Sequence, residues 1–392
     1  MFLFDTCPQI YFGRDSLDYL LKVKAEKAVL VTDSYMVSSG MVGEVTRRLD
    51  AAKIQYKVYS GVTPDPNIDV VANGIQVLFD LKPDLVIALG GGSAIDTAKV
   101  MLNVCFRIKA LLMKEQYISR PEFITIPTTS GSGSEVTTYA VISDEERGIK
   151  IPISNRNMVP DVAILDPEFT KTLPKDQISF TGMDVLTHAI EAFVSGNGND
   201  FTNMFAKEAA EIAFHTLPGL YSDASDEKLR ERMYNASTMA GLAFTNSGLG
   251  LCHGIAHTIG AQFHVPHGKA NAIILPYIIL FNCGIGEERL RDDMILKYAH
   301  LAENMGLGTG KELGNIEMCR LLIMTVNVLN ERFRIPKSFK ESGIDEAEFN
   351  RNIEIIADKV LEDACTKTNP RPVTKGVLID LMMKIYSGEL DI

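Results

Sequence analysis

The chain has 392 residues, 46% of them hydrophobic and 23% charged, with a formal net charge of −11. That length favours two domains, and the composition is that of an ordinary globular protein. The acidic balance argues against a general nucleic-acid surface, which needs a basic stripe.

Short β-rich runs alternate with helical stretches in the first part. Ala28–Asp33, Ile54–Ser60, Asp84–Leu89 and Phe123–Pro127 read as strands. Met41–Lys53, Ile68–Leu81 and Ala94–Lys109 carry helical periodicity between them. Near-continuous apolar strands separated by helices predict a parallel sheet covered on both faces. Three further runs, Tyr139–Ser143, Lys150–Ser154 and Asp161–Asp166, extend or flank that sheet. From about Thr170 onward nearly everything is helix-compatible, with caps or breaks at Thr187, Asn197-Gly198, Pro218-Gly219 and Gly306–Gly310. The expectation is an α/β domain over residues 1–172 and an all-helical domain over 173–392. A crevice between the two is the expected ligand site.

Within the first domain, Gly90-Gly91-Gly92-Ser93 follows the strand ending at Leu89 and opens a helix. Glycines let a backbone approach phosphate closely, and the free amides of a helix start favour an anion. Ser93 and Asp96 also form an S-x-x-D capping pattern. A second polar loop, Thr128 to Glu135, follows the strand ending at Pro127. Loops at the carboxyl ends of parallel strands are where open α/β sheets bind ligands. Asp33 ends another strand, where a carboxylate can bond ribose hydroxyls and repel a 2′-phosphate, selecting NAD over NADP.

The second domain gathers histidines. His253, His257, His264 and His267 fall within fifteen residues, after a helical Asp184 and His188. Residues four apart lie about 40° apart around a helix and ~6 Å along it, so Asp184/His188 and His253/His257 each share a face. The stretch Met183–Val194 is apolar on most faces. Burying a carboxylate and an imidazole there costs on the order of several kcal/mol unless they are paired or bound to a cation. Several imidazoles with one carboxylate suit a divalent ion such as iron or zinc.

Other chemistry finds no support. There is no G-x-S-x-G and no H-E-x-x-H. The cysteines, Cys7, Cys105, Cys252, Cys283, Cys319 and Cys365, are scattered without paired spacing, as in a reduced compartment. No signal peptide is evident, and the longest apolar run, Ala270–Phe281, carries Pro276 and falls short of the ~20 residues a membrane span takes. The expectation is a cytoplasmic protein with no membrane partner.

Four motifs now stand in order: GGGSAIDTAK (Gly90–Lys99), PTTSGSGSEVT (Pro127–Thr137), GMDVLTHAIEAF (Gly182–Phe193) and GLGLCHGIAHTIGAQFHVPHGKANAIILP (Gly248–Pro276). In them the chain resembles the iron-containing, or group III, alcohol dehydrogenase family over nearly its whole length. The resemblance implies an α/β N-terminal dinucleotide-binding domain with a parallel sheet, an all-α C-terminal metal-binding domain, and a homodimer. It implies metal ligands at Asp184, His188, His253 and His267, and a catalytic role near the nicotinamide for His257, the candidate proton relay. For the cofactor it carries over to Asp33, Gly91, Gly92, Ser93, Thr128, Thr129, Ser132, Thr137 and Lys150. Ser132 stands where many relatives have Thr, which retains the hydroxyl.

Within the family, the short stretch between the first two motifs, together with Ile142–Ser154 and Tyr234–Phe244, is most similar to the propanol dehydrogenases of propanediol-utilising bacteria. The sulfoacetaldehyde reductases are a similar branch. The activity implied is NAD-dependent interconversion of a short primary alcohol and its aldehyde, propanal or acetaldehyde in class. Fe2+ is the implied ion, with Zn2+ as the alternative. A sulfoacetaldehyde reductase or a 1,3-propanediol dehydrogenase is the alternative activity, and association with a bacterial microcompartment is a further implication.

Overall fold

The computed structural model describes residues 3–4, 8–113, 120–144 and 149–392. Cys7, residues 114–119 of the short inter-motif stretch and residues 145–148 of the Ile142–Ser154 stretch lie outside them. Two compact units emerge. One holds Leu3–Leu173 together with Ser225–Gly241, and the other holds Pro174–Ala224 and Leu242–Ile392. Assigning Ser225–Gly241 to the first unit was not foreseen from the sequence.

The first unit is built on a six-stranded sheet. Its strands are β1 (Gln9–Phe12), β2 (Lys27–Asp33), β3 (Gln55–Val62), β4 (Leu85–Gly90), β5 (Glu122–Pro127) and β8 (Val162–Leu165), in the order β1-β8-β5-β4-β2-β3. Every pairing within it is parallel. Side chains alternate between two apolar layers. Leu30, Leu85, Ile87 and Ile124 join one cluster, while Val29, Val31, Val86 and Ala88 join the other. That double burial is why β4 reads as an unbroken apolar run rather than an alternating one. Helices α1 (Ser34–Ser38), α2 (Met41–Ala51), α3 (Ile68–Leu81) and α4 (Gly92–Met113) connect the strands.

Of the three further runs, the last joins the main sheet as β8, whereas β6 (Tyr139–Asp144) and β7 (Ile149–Ser154) form their own antiparallel pair. One sequence expectation changes. The S-x-x-D pattern does not cap α4, which already begins at Gly92. The Asp96 carboxylate instead accepts from Ser134 Oγ at 2.6 Å and from Val141 N at 2.9 Å.

Helices α5 (Lys175–Val194), α6 (Asp200–Ser222), α7 (Glu227–Ser247), α8 (Leu251–Phe263) and α9 (His267–Cys283) follow. After them come α10 (Asp292–Asn304), α11 (Asn315–Arg332), α12 (Glu346–Glu362) and α13 (Lys375–Ser387). The breaks at Asn197-Gly198 and Gly306–Gly310 separate helices as expected. Thr187 does not cap: it lies inside α5, its hydroxyl donating to Met183 O at 2.8 Å. Pro218 does not break α6 either: the helix runs through it for another turn, to Ser222. Among the described residues, no helix is long and apolar enough to cross a membrane.

Candidate metal centre

Helix α5 supplies Asp184 and, one turn on, His188; both are buried. Helix α8 supplies His253 from its first turn, and His267 is the first residue of α9. Gly268 lets α9 begin there. A Cβ on it would run into the Phe180 carbonyl oxygen of α5 and lie 3.3 Å from Asp184 Cβ. Each of the four residues offers one donor atom, and these atoms all lie within 4.8 Å of one another.

The residues fit a metal ion. Asp184 Oδ1 stands 3.5 Å from His267 Nε2 and 3.7 Å from His253 Nε2, at or beyond the limit of direct hydrogen bonds. Donors sharing an ion at ~2.1 Å stand about 3.0–3.5 Å apart. The Asn271 amide nitrogen sits among them, 2.7 Å from Asp184 Oδ1, 3.0 Å from His253 Nε2 and 3.2 Å from His267 Nε2. One of those contacts must fail. A neutral His253 leaves three acceptors for two hydrogens, and a protonated one sets N–H against N–H. A cation serves all three donors.

The electrostatics agree. Burial pushes the Asp184 carboxyl up, but His188, His267 and His253 outweigh it and hold it well below the usual carboxylate range. Burial also pushes His267 well below the usual imidazole value, leaving its ring neutral and ready to ligate. His253 moves the other way. Burial lowers it, yet Asp184 and Glu191 together raise it to about 9, so an arriving ion displaces a proton there.

Around these donors stand residues that sequence reading missed. Glu191 Oε2 lies 2.6 Å from His253 Nδ1, the carboxylate–imidazole contact that orients metal-bound histidines. Its spacing from His188 and Asp184 on α5 is the only sequence signal for it. Asp363 Oδ2 lies 2.9 Å from Nδ1 of His257. The His257 ring stacks on His267 with centroids 5.3 Å apart, outside the four-donor group. His264 ends α8 with a positive φ of 55° and is exposed.

The cofactor candidates line the carboxyl ends of β2, β4 and β5. Gly90 takes a φ of 150°, open to glycine alone without strain, and a Cβ there would lie 2.7 Å from Ala94 Cβ and 3.5 Å from Asp33 Oδ2. Thr129 faces Gly91, Ser132 faces Gly92, and Thr128 N donates to Gly90 O at 3.0 Å, so the two polar loops are adjacent. Ser93 lies in the first turn of α4. Thr137 and Lys150 are engaged elsewhere. Lys99 Nζ donates to Thr137 Oγ1 at 2.9 Å, and Lys150 Nζ pairs with Asp65 at 2.6 Å.

Comparison with known proteins accounts for both halves. The description "Iron-containing alcohol dehydrogenase" fits residues 7–167, and "Fe-containing alcohol dehydrogenase family, C-terminal" fits residues 178–386. The chain belongs to the iron-containing alcohol dehydrogenase family, and it is an oxidoreductase of that type. It is 39% identical to the NADPH-dependent butanol dehydrogenase of Clostridium saccharobutylicum, over 97% of this chain and 96% of that one. It is 37% identical to the 1-propanol dehydrogenase PduQ of Salmonella typhimurium, over 96% and 98%. At 40% identity it spans about half the length, 45%, of the aldehyde-alcohol dehydrogenase of Streptococcus pneumoniae. The solved iron-containing alcohol dehydrogenase of Thermococcus thioreducens matches with a TM-score of 0.87 at 30% identity, over 99% of this chain and all of that one.

Proposed function

We propose that the chain is a metal-dependent NAD(H) oxidoreductase interconverting a short primary alcohol and its aldehyde, of the propanal and acetaldehyde class. The observation that carries this is the convergence of one carboxylate and three imidazoles within 4.8 Å. Asp184, His188, His253 and His267 hold a divalent ion, Fe2+ by family likeness with Zn2+ the alternative. Intrinsic affinity favours zinc, so metal supply decides between them.

When bound, the ion supplies a Lewis acid for the substrate oxygen and the nicotinamide supplies hydride chemistry at carbon. The chain's own groups do the rest. Glu191 orients His253. His257, stacked on His267, relays a proton between the substrate hydroxyl and water. Gly91, Gly92 and Ser93 cradle the pyrophosphate at the start of α4, with Thr128, Thr129 and Ser132 across from them. Asp33 takes the ribose and selects NAD. Family likeness adds Thr137 and Lys150.

Residues 1–172 then serve the dinucleotide and 173–392 the metal and substrate. The butanol and 1-propanol dehydrogenase relatives favour an unbranched aldehyde over sulfoacetaldehyde, whose sulfonate needs a cationic partner when buried. A cytoplasmic homodimer, with association to a bacterial microcompartment by the PduQ likeness, belongs to the same reading.

The test is NADH oxidation by anaerobically iron-loaded protein with acetaldehyde, propanal, butanal and sulfoacetaldehyde. Each methylene contributes only about 1–3 kcal/mol, so modest discrimination among the three unbranched aldehydes is expected. No turnover with any carbonyl sinks the activity. A kcat/KM for sulfoacetaldehyde far above that for propanal sinks the substrate class alone.

A further inference from the structure

Asp363 stands 106 residues beyond His257 in sequence, at the C-terminal cap of α12. Its own backbone N–H donates to Lys359 O at 3.1 Å and Val360 O at 3.3 Å. Its two carboxylate oxygens have separate partners. Oδ1 accepts from Cys365 N at 2.7 Å, which closes a tight turn around the carboxylate. Oδ2 lies 2.9 Å from His257 Nδ1. Helix α8 is pressed against the segment just beyond, since a Cβ on Gly254 would run into Thr366 Oγ1. Phe263 and Phe349 add a ring contact between α8 and α12, with centroids 6.1 Å apart. Both the carboxylate and the helix bearing the ring are therefore held.

Both Asp363 oxygens are placed to accept: Oδ1 is taken by the Cys365 amide and Oδ2 faces the His257 ring nitrogen. An ionised carboxylate only accepts, so His257 Nδ1 carries the hydrogen. We infer that Asp363 is a positioning residue: it fixes the tautomer and orientation of His257, leaving Nε2 as the bare nitrogen that takes up a proton. This rests on the proposed proton-relay role of His257. The proton moves from the substrate hydroxyl to Nε2 and on to water, while Nδ1–H stays bonded to Asp363.

Two measurements test it, both on metal-loaded, full-length protein. The first is nitrogen NMR of histidine-labelled protein at about pH 8, above the usual imidazole range, with the His257→Ala spectrum assigning the signal. His257 is expected as the Nδ1–H form, shifting toward Nε2–H in Asp363→Ala. An Nε2–H ring in the unaltered protein, or no change in the variant, overturns the proposal.

The second is a double-mutant cycle on alcohol oxidation. Asp363→Asn keeps the shape and removes the charge. It is expected to lower kcat about 10–100-fold, the usual effect of losing such an outer partner, with little change in the KM for NAD. On a His257→Ala background the same change is expected to cost less than about two-fold, because there is no ring left to position. Equal losses on both backgrounds mark a merely structural role and overturn the proposal. So does a second ion per chain that disappears in Asp363→Asn, since His257, Asp363 and Cys365 then form a cation site. Absence of turnover in the unaltered holoenzyme brings down the functional reading alone, and the NMR result still decides the positioning role.

Discussion

Glu191 holds His253 and its neighbour together: Oε2 lies 2.6 Å from Nδ1 of the His253 ring, and Oε1 accepts from Cys252 N at 2.7 Å. One carboxylate thus fixes both the imidazole and the first turn of the helix that bears it. Glu191→Gln is expected to weaken metal affinity about 10–100-fold while leaving the helices intact. Chelator competition with circular dichroism alongside checks this, and unchanged affinity would remove Glu191 from the centre.

The ligand assignment separates two neighbouring histidines. His267→Ala is expected to lose metal and activity together. His257→Ala is expected to keep its metal and lose about 10²–10⁴ in rate, the range for a missing proton carrier. Elemental analysis of both variants decides, and a metal-free His257→Ala protein refutes the division.

Asp33, proposed to set the cofactor preference, also caps α1, its Oδ1 accepting from Met36 N at 2.9 Å. Asp33→Ser keeps a capping oxygen and removes the charge, so it is the cleaner probe than Asp33→Gly. Both are expected to raise kcat/KM with NADP relative to NAD. Equal use of NADP by the unaltered enzyme would show that Asp33 does not repel the 2′-phosphate. The NADPH-dependent relative makes this measurement pointed.

Lys99 gives a pH signature. Its ammonium group is buried against Ser134 Oγ, Thr137 O and Oγ1, and Tyr139 O at 2.8–3.1 Å. Burial pushes it from 10.5 down to about 8. Between about 8 and 10.5 the unfolded chain therefore binds more protons than the folded one, and stability rises with pH. Below that window both states are charged and the penalty is fully present. The stability of the unaltered protein minus that of Lys99→Met is expected to grow by up to about 3 kcal/mol between neutral pH and the top of the window. Denaturant melts at the two ends check this, and a flat difference removes Lys99 as the cause.

Much of this was legible because it is local. The parallel strands show as unbroken apolar runs, and Asp184/His188 show as a helical pair. What stayed hidden depends on distant partners. Asp363 reaches His257 across 106 residues, and no pattern around either announces the other. Glu191 was readable in principle, on the same stripe of α5, but a lone carboxylate there has no marker until His253 folds onto it. β1 escaped because four residues at a sheet edge, mostly exposed, give too short a run to register. Pro218 and Thr187 misled because local propensity is a weak guide: both helices run through these residues all the same. Asp96 looked like a local cap, whereas its partners lie 38 and 45 residues away.

Gly268 leaves little freedom at the start of α9, because the chain behind His267 is wedged against the Phe180 carbonyl. The donor set discriminates by kind: three imidazoles and one carboxylate suit ions that bind nitrogen as readily as oxygen, while calcium, seeking six or more oxygens, finds a single carboxylate.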